Sequence, residues 1–471
     1  MVIYEIAVYL APFITAPYVA RVLGTYGTGL YSYSFSIVSY FVIFVQLGVS
    51  LYGRREIASC LSRDKKTQTF WSVWTIESVM FVFSLIFFLT SSFFVEDRDL
   101  RNSLYIQTFY LMGSWLDISW LYFGVEDFKI AVSRNVIVKI LSLIAVFIFV
   151  KTQDDTLLYV LIMSLSNFFG VIVMWLTLKK HVDAPNLDWI EIKKHILPMF
   201  KMFIPVLSIQ LFSLSDKLCL GLLSSIDDVS IYDNAYRISR VPVAFITTIG
   251  TVMLPRMTKY VAENNVDMIN HYFNKSLTIT FVLGVFSASI LIGVSPTFIP
   301  LYLGESFTDA IYVLQLLSIV LVPIAWGNAF RSQFILPNKL DNLYLKSVLY
   351  AAIINVGLNL ALIPWWSTIG ASVASIASEL IICVYQTIKI RHSFDLSNLV
   401  KINIPYLLPA SFTIISMLLI TQKIECGNFE MLMITLVVGV LMFVLITYLL
   451  ELKLSEKTLT TEIANIIKKR K

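Results

Sequence analysis

The sequence predicts an all-α, polytopic membrane protein of about fourteen transmembrane helices, in two six-helix lobes plus two C-terminal helices, with both termini cytoplasmic. Three observations carry that prediction. The 471 residues are 57% hydrophobic and only 14% charged, with a mean hydropathy of +0.77, whereas a soluble domain is about 25% charged. Runs of about twenty apolar residues recur along the whole chain with short linkers between them. Basic and acidic residues alternate from linker to linker, which sets an orientation.

The apolar runs place spans at roughly 2–22, 28–52, 70–95, 103–124, 130–150, 156–178, 197–223, 229–255, 275–300, 308–336, 343–364, 368–390, 402–422 and 430–450. Met1 leads into the first run without a basic flank or a small-residue cleavage site, so no cleavable signal peptide is expected. The second linker holds Arg54, Arg55, Arg63, Lys65 and Lys66, the sixth holds Lys179, Lys180, Lys193 and Lys194, and the chain ends Lys468, Lys469, Arg470, Lys471. Linkers on the other side carry Glu96, Asp97 and Asp99, then Asp154 and Asp155, Asp227 and Asp228, and Glu305 and Asp309. Basic linkers face the cytoplasm.

Asn186 to Lys201 is expected to form a short amphipathic surface helix. The domain organisation is then an N-terminal lobe at 1–180, a linker at 181–196, a second lobe at 197–392, and two further spans with a basic tail at 393–471. Weak self-similarity supports two parallel repeats: Gly48 precedes Arg54 as Gly250 precedes Arg256, and Leu23-Gly24 leads to Tyr31-Ser32 as Leu220-Gly221 leads to Tyr232-Asp233. Transporters built this way bind substrate at the repeat interface.

Within the hairpin Ser208 to Arg256 both arms are long and apolar, yet they hold Asp216, Lys217, Asp233, Arg237 and Arg240. Each such charge at a bilayer centre costs roughly 2.5–3.5 kcal/mol. Residues 233, 237 and 240 share one helical face, continued by Ala244, Thr247 and Thr251, as expected for the wall of a water-filled cavity. Arg240 and Arg237 fall roughly 12–16 Å below the external helix end. Three cations against two carboxylates leave one positive charge over, and arginine suits phosphate oxygens. Arg21 stands at the repeat position matching Leu218, beside Lys217. The cavity reading is therefore an anion site of Arg237, Arg240, Lys217 and Arg21. Its competitor is internal neutralisation, with Asp233 pairing Arg237 one turn away and Asp216 pairing Arg240.

Other intramembrane charges read as structural or coupling groups. Asp117 and Lys139 are expected to pair between neighbouring spans, and Glu77, Glu379 and Glu5 are lone carboxylates. Ser32, Ser36, Ser39 and Gln46 line one face at helical spacing, and Tyr31, Tyr33, Tyr40, Tyr232 and Tyr236 suit stacking on sugars or the membrane interface; Ser32, Ser36 and Tyr236 are the candidate glycan contacts, with helix packing as the alternative. Cys60, Cys219, Cys383 and Cys426 lie far apart. The histidines, His181, His195, His271 and His392, fall in expected loops. The residues suggest no metal site, no cofactor and no catalytic constellation, and the external loops are short for a glycan polymerase. The sequence carries no GxxxxGK[ST] nucleotide motif.

Asp117 to Asp155 opens DISWLYFGVEDFK, and this pattern resembles the polysaccharide flippases, the lipid-linked oligosaccharide exporters of the superfamily that includes multidrug extruders. Supporting stretches are Pro17 to Gly24, Tyr232-Asp233-Asn234-Ala235, Pro255-Arg256-Met257, Gln333 to Asn338, and Asn355 to Pro364 with Ile369-Gly370-Ala371. Members of that family begin with a longer basic cytoplasmic segment, so this chain is expected to start partway along the pattern. The resemblance implies a non-enzymatic flippase that moves undecaprenyl-diphosphate-linked repeat units outward by alternating access, for capsule, O-antigen or similar glycans. It implies a bacterial plasma-membrane location, membrane lipids and other polysaccharide-assembly membrane proteins as partners, and no nucleic acid. A head group with about two negative charges gains roughly 4–5 kcal/mol on moving outward at 100 mV. The alternatives are a multidrug cation antiporter of the same architecture, which calls for an anionic cavity, and a glycan polymerase.

Overall fold

A computed structural model describes residues 2–185, 187–424 and 426–453. The side chain of Glu5, the linker residue Asn186 and the basic tail Lys468–Lys471 lie outside the described residues. Among the described residues every regular element is helical, which establishes the all-α class. Nine of the helices there are long and apolar enough to cross a membrane, and the chain is a multi-pass membrane protein.

The chain divides into two compact units, 1–230 and 231–471. The first contains α1 (Val2–Gln46), α2 (Val49–Ser59), α3 (Arg63–Phe93), α4 (Arg98–Leu116), α5 (Ser119–Gly124), α6 (Phe128–Phe149), α7 (Thr156–Thr177) and α8 (Trp189–Leu223). Helix α9 (Ile226–Ser239) crosses the division. The second unit continues with α10 (Val241–Ala262), α11 (Val266–Tyr302), α12 (Ala310–Ile319), α13 (Leu321–Phe330), a π-helical turn (Arg331–Ile335), α14 (Asp341–Lys389), α15 (Leu396–Asn403), α16 (Leu407–Lys423) and α17 (Asn428–Lys453).

Two of the longest helices are broken where the apolar runs are expected to separate. Gly24 (φ 68°, ψ −169°) interrupts α1 and Ser367 (φ 44°, ψ −123°) interrupts α14. Gly24 tolerates that conformation because it has no Cβ. Ser367 follows Pro364, which removes a helical hydrogen-bond donor just before the break. A further reversal at Leu47-Gly48 (φ 43° and 72°) separates α1 from α2. Gly48 is required there twice over: a Cβ on it would stand 2.8 Å from the Met202 carbonyl carbon and 2.9 Å from the Phe203 nitrogen of α8.

Several boundaries differ from the sequence expectation. The amphipathic stretch expected to end at Lys201 runs without interruption into the following span as α8. The expected span at 103–124 breaks at Asp117, whose carboxylate accepts the Ser119 amide at 2.9 Å. The expected span at 229–255 breaks at Arg240, because Pro242 opens α10 and cannot donate to the preceding turn.

In the first unit α4 packs on α7 and α1, α6 packs on α7, and α8 packs on α1 and α3. Its core gathers Leu47, Tyr52, Phe70, Ile118, Trp120, Tyr122, Met174 and Met199. The DISW segment belongs to that core: Trp120 stacks on Phe70 with centroids 5.4 Å apart, and the Tyr122 hydroxyl donates to the Met174 carbonyl at 2.5 Å. In the second unit α11 is the central helix, covered by α12, α13, α16 and α17. Phe273, Phe281, Trp326, Phe330 and Tyr406 fill its core.

Candidate functional site

Helix α9, the residue after it and the second half of α14 bring several charged side chains together in the second unit. Asp233 is buried, and its Oδ2 receives Arg237 Nε at 2.9 Å and Nη2 at 2.8 Å, so the i, i+4 pair expected from spacing forms. The Arg237 side chain remains 48% exposed. Three residues on, Arg240 lies where α9 gives way to α10. Its guanidinium stands 4.6 Å from the centre of the Tyr236 ring, a cation–π distance. Both Nη atoms lie 3.5 Å from Glu379 Oε1.

Arg240 therefore takes its carboxylate from Glu379 of α14, where the sequence expectation offered Asp216. A contact between residues 139 positions apart is invisible to helical periodicity. Tyr232 adds a second tie between α9 and α14, its hydroxyl 2.9 Å from Ser375 Oγ, and its ring stacks on Tyr236 at 6.0 Å. A further cation, Arg331, lies on a segment that packs against α14. It opens the π-helical turn, donates to Asn328 Oδ1 at 2.9 Å and lies 5.7 Å from the Tyr344 ring centre. Sequence reasoning missed Arg331, although an arginine within the apolar run 308–336 meets the same criterion of costly intramembrane charge. Single-turn π-helices are frequent at functional sites.

The polar face expected beyond Arg240 is interrupted by the helix break. Past it, the Thr247 and Thr251 hydroxyls donate to the Val243 and Thr247 carbonyls one turn back.

The remaining candidates lie in the first unit. Lys217 and Asp216 are buried in α8, 8% and 4% exposed, and Arg21 is exposed on α1, three residues before the Gly24 break. Ser32 is buried, and Ser36 is fully buried with its hydroxyl donating to the Ser32 carbonyl at 2.7 Å. Asp117 finds its cation on the expected helix but at a different residue: Arg134 Nη1 lies 3.6 Å from Asp117 Oδ1, five residues before the expected partner Lys139. Lys139 itself is partly buried on α6. Glu77 is fully buried in α3, and neither of its carboxylate oxygens has a hydrogen-bond partner among the described residues. His195 also departs from expectation. It is buried in α8, not in a loop, with Nδ1 2.7 Å from the Tyr52 hydroxyl.

The chemistry this arrangement offers is electrostatic. Two guanidiniums, Arg240 and Arg331, each rest against an aromatic ring, and Arg240 is paired loosely with Glu379, a layout suited to reversible capture of an anionic group. Among the described residues no three His, Cys, Asp or Glu side chains gather as a metal centre.

The chain is 25% identical over 391 residues to a protein of Escherichia coli (strain K12) that carries the name O-antigen transporter, covering 82% of this chain and 94% of that one. Haloferax volcanii Agl15, named as a low-salt glycan biosynthesis flippase, is 21% identical over 199 residues, 41% of this chain and 40% of its own. Among solved structures, the lipid II flippase MurJ in an inward closed conformation superposes with a TM-score of 0.74 at 15% identity, covering 97% of this chain and all of MurJ. An inward-facing multidrug transporter of the MATE family superposes with a TM-score of 0.65 at 14% identity over 81% of this chain and 95% of its own. Both establish the fold. The family model described as polysaccharide biosynthesis protein matches residues 1–261, more than half of the sequence, and the chain belongs to that family.

Proposed function

We propose that this protein is a flippase that carries a lipid-linked oligosaccharide, an undecaprenyl-diphosphate-linked repeat unit, from the cytoplasmic to the outer leaflet for cell-surface polysaccharide synthesis. The observation that carries the reading is the Arg240 site, an intramembrane guanidinium supported by an aromatic ring and only loosely held by its carboxylate. Membership of the polysaccharide biosynthesis family and the transporter and flippase names of the relatives support it. The protein is a transporter rather than an enzyme and works by alternating access.

Arg240 is the principal ligand of the diphosphate. Arg237 is its more exposed neighbour, already paired with Asp233, and Lys217 and Arg21 are the further cations of the proposal. Tyr236 is the candidate glycan contact beside Arg240. The same proposal includes fourteen spans, cytoplasmic termini, residence in a bacterial plasma membrane and association with other polysaccharide-assembly membrane proteins. The MATE-like fold keeps a multidrug cation antiporter as the competing reading. The sign of the site opposes it, since Arg240 and Arg331 outnumber Glu379.

The test follows a labelled lipid-linked glycan in cells lacking the gene. Intact repeat units are expected to accumulate on the cytoplasmic leaflet; accumulation on the outer leaflet or an unchanged glycan overturns the reading. Restoring the gene with Arg237→Ala and Arg240→Ala together is expected to leave export blocked while the protein still inserts.

A further inference from the structure

We propose that Glu379 is the internal counter-ion of the head-group site, occupying Arg240 while the carrier is empty and yielding it to the anionic group of the substrate. This rests on the reading of Arg240 as a diphosphate ligand.

Three features of the second unit support exchange rather than a permanent ion pair. Both Arg240 nitrogens approach a single oxygen, Glu379 Oε1, at 3.5 Å, well beyond the 2.7–2.9 Å of a tight charge-assisted hydrogen bond. The guanidinium is held from elsewhere by the Tyr236 ring at 4.6 Å, so it keeps its position when the carboxylate leaves. A second cation is available to a displaced carboxylate: Arg331 stands on the π-helical turn that packs against α14 and is itself fixed by Asn328 and Tyr344.

That second cation matters because the Glu379 side chain is only 12% exposed, and a buried carboxylate left without compensation is costly. The charged and titratable groups around Glu379 are Arg240 at the end of α9, Arg331 on the π-helical turn, and Cys383 one turn along α14. Tyr236 and Tyr232 of α9 act on Arg240 in turn. Glu379 thus pairs with Arg240 while the turn that carries Arg331 packs against its own helix.

The consequence is a site whose charge is balanced in both halves of the cycle. When the site is empty, Glu379 neutralises Arg240, and closure around it buries no unpaired guanidinium. When it is loaded, the substrate anion takes that place and Glu379 turns to Arg331. Competition for one guanidinium also sets the ceiling on affinity, so release does not require the site to be dismantled.

The experiment measures farnesyl diphosphate binding to the full chain in nanodiscs, with farnesol as the uncharged control, alongside glycan export in cells. Glu379→Gln is expected to tighten farnesyl diphosphate binding by about five- to tenfold, within the usual range of coupling between two linked equilibria, while farnesol binding is unchanged and export falls. Unchanged or weaker diphosphate binding in Glu379→Gln overturns the counter-ion role. Arg331→Ala provides an independent arm should Glu379→Gln not fold. With its second cation gone, Glu379 holds Arg240 more firmly and diphosphate binding weakens; unchanged binding there also overturns the proposal. Arg240→Ala separates the two levels. If it binds diphosphate as the wild type does, the head-group reading itself fails. If it loses binding while Glu379→Gln gains none, only the counter-ion role fails.

Discussion

Replacing Arg134 by alanine removes the cation that sits 3.6 Å from the Asp117 carboxylate at the break between α4 and α5. At that distance and an effective dielectric of about 20, the gross attraction is about 4–5 kcal/mol. Desolvation takes much of it back, because the Arg134 side chain is 9% exposed and that of Asp117 25%. We expect Arg134→Ala to cost about 2–3 kcal/mol, with a pair coupling of about 1–2 kcal/mol. Asp117→Asn is the matching single variant, because its side-chain oxygen still accepts the Ser119 amide that Asp117 receives at 2.9 Å. The double variant completes a cycle that isolates the charge from the cap. The assay is SDS-driven unfolding in mixed micelles, followed by tryptophan fluorescence, with export activity measured in parallel. Export should fall only in proportion to the folded protein, since the pair is read as structural. A coupling below about 0.3 kcal/mol would refute the argument, as would a loss of export in a fully stable variant.

Two further outcomes follow from the same first unit. Gly48→Ala should destabilise by at least about 2 kcal/mol in the same assay, combining the cost of a left-handed L-residue with a clash against α8 backbone that cannot rotate away; a neutral result would mean that the reversal at Leu47-Gly48 is not rigid. His195 lies near the start of α8, ahead of the span expected at 197–223, and burial holds its imidazole below the ordinary value near 6.5. Above that value His195 is neutral in both folded and unfolded chains. As pH falls through it the unfolded chain takes up the proton first, so stability is lost toward acid. Thermal stability should drop between pH 7.5 and 5.5 in the wild type and drop less in His195→Gln; identical slopes would show that the Tyr52–His195 contact does not sense pH.

Much of the chain was legible because its information is local. Composition and run length established a multi-pass helical protein, since only helices and closed barrels satisfy the backbone inside lipid. The breaks at Gly24 and Ser367 fall between neighbouring apolar runs, where Gly and Pro mark them. Asp233 and Arg237 pair as spacing requires, because four residues nearly complete a helical turn. The lone carboxylate Glu379 and the arginine Arg240 were both visible as costly intramembrane charges.

The tertiary structure decided which of those charges meet. Helical periodicity says which face a residue occupies, but not which helix packs against that face. Hence Asp117 pairs with Arg134 where Lys139 was expected, Arg240 pairs with Glu379 where the competing reading offered Asp216, and His195 is packed against Tyr52. The π-helical turn that presents Arg331 has no clear signature in sequence, because it depends on how α13 continues against its neighbours. From sequence alone, the second unit offered isolated charges of known cost. Packing made Arg240 and Glu379 into one electrostatic unit, because a charge in a low-dielectric interior is stabilised only by the partners that the fold brings within a few ångströms.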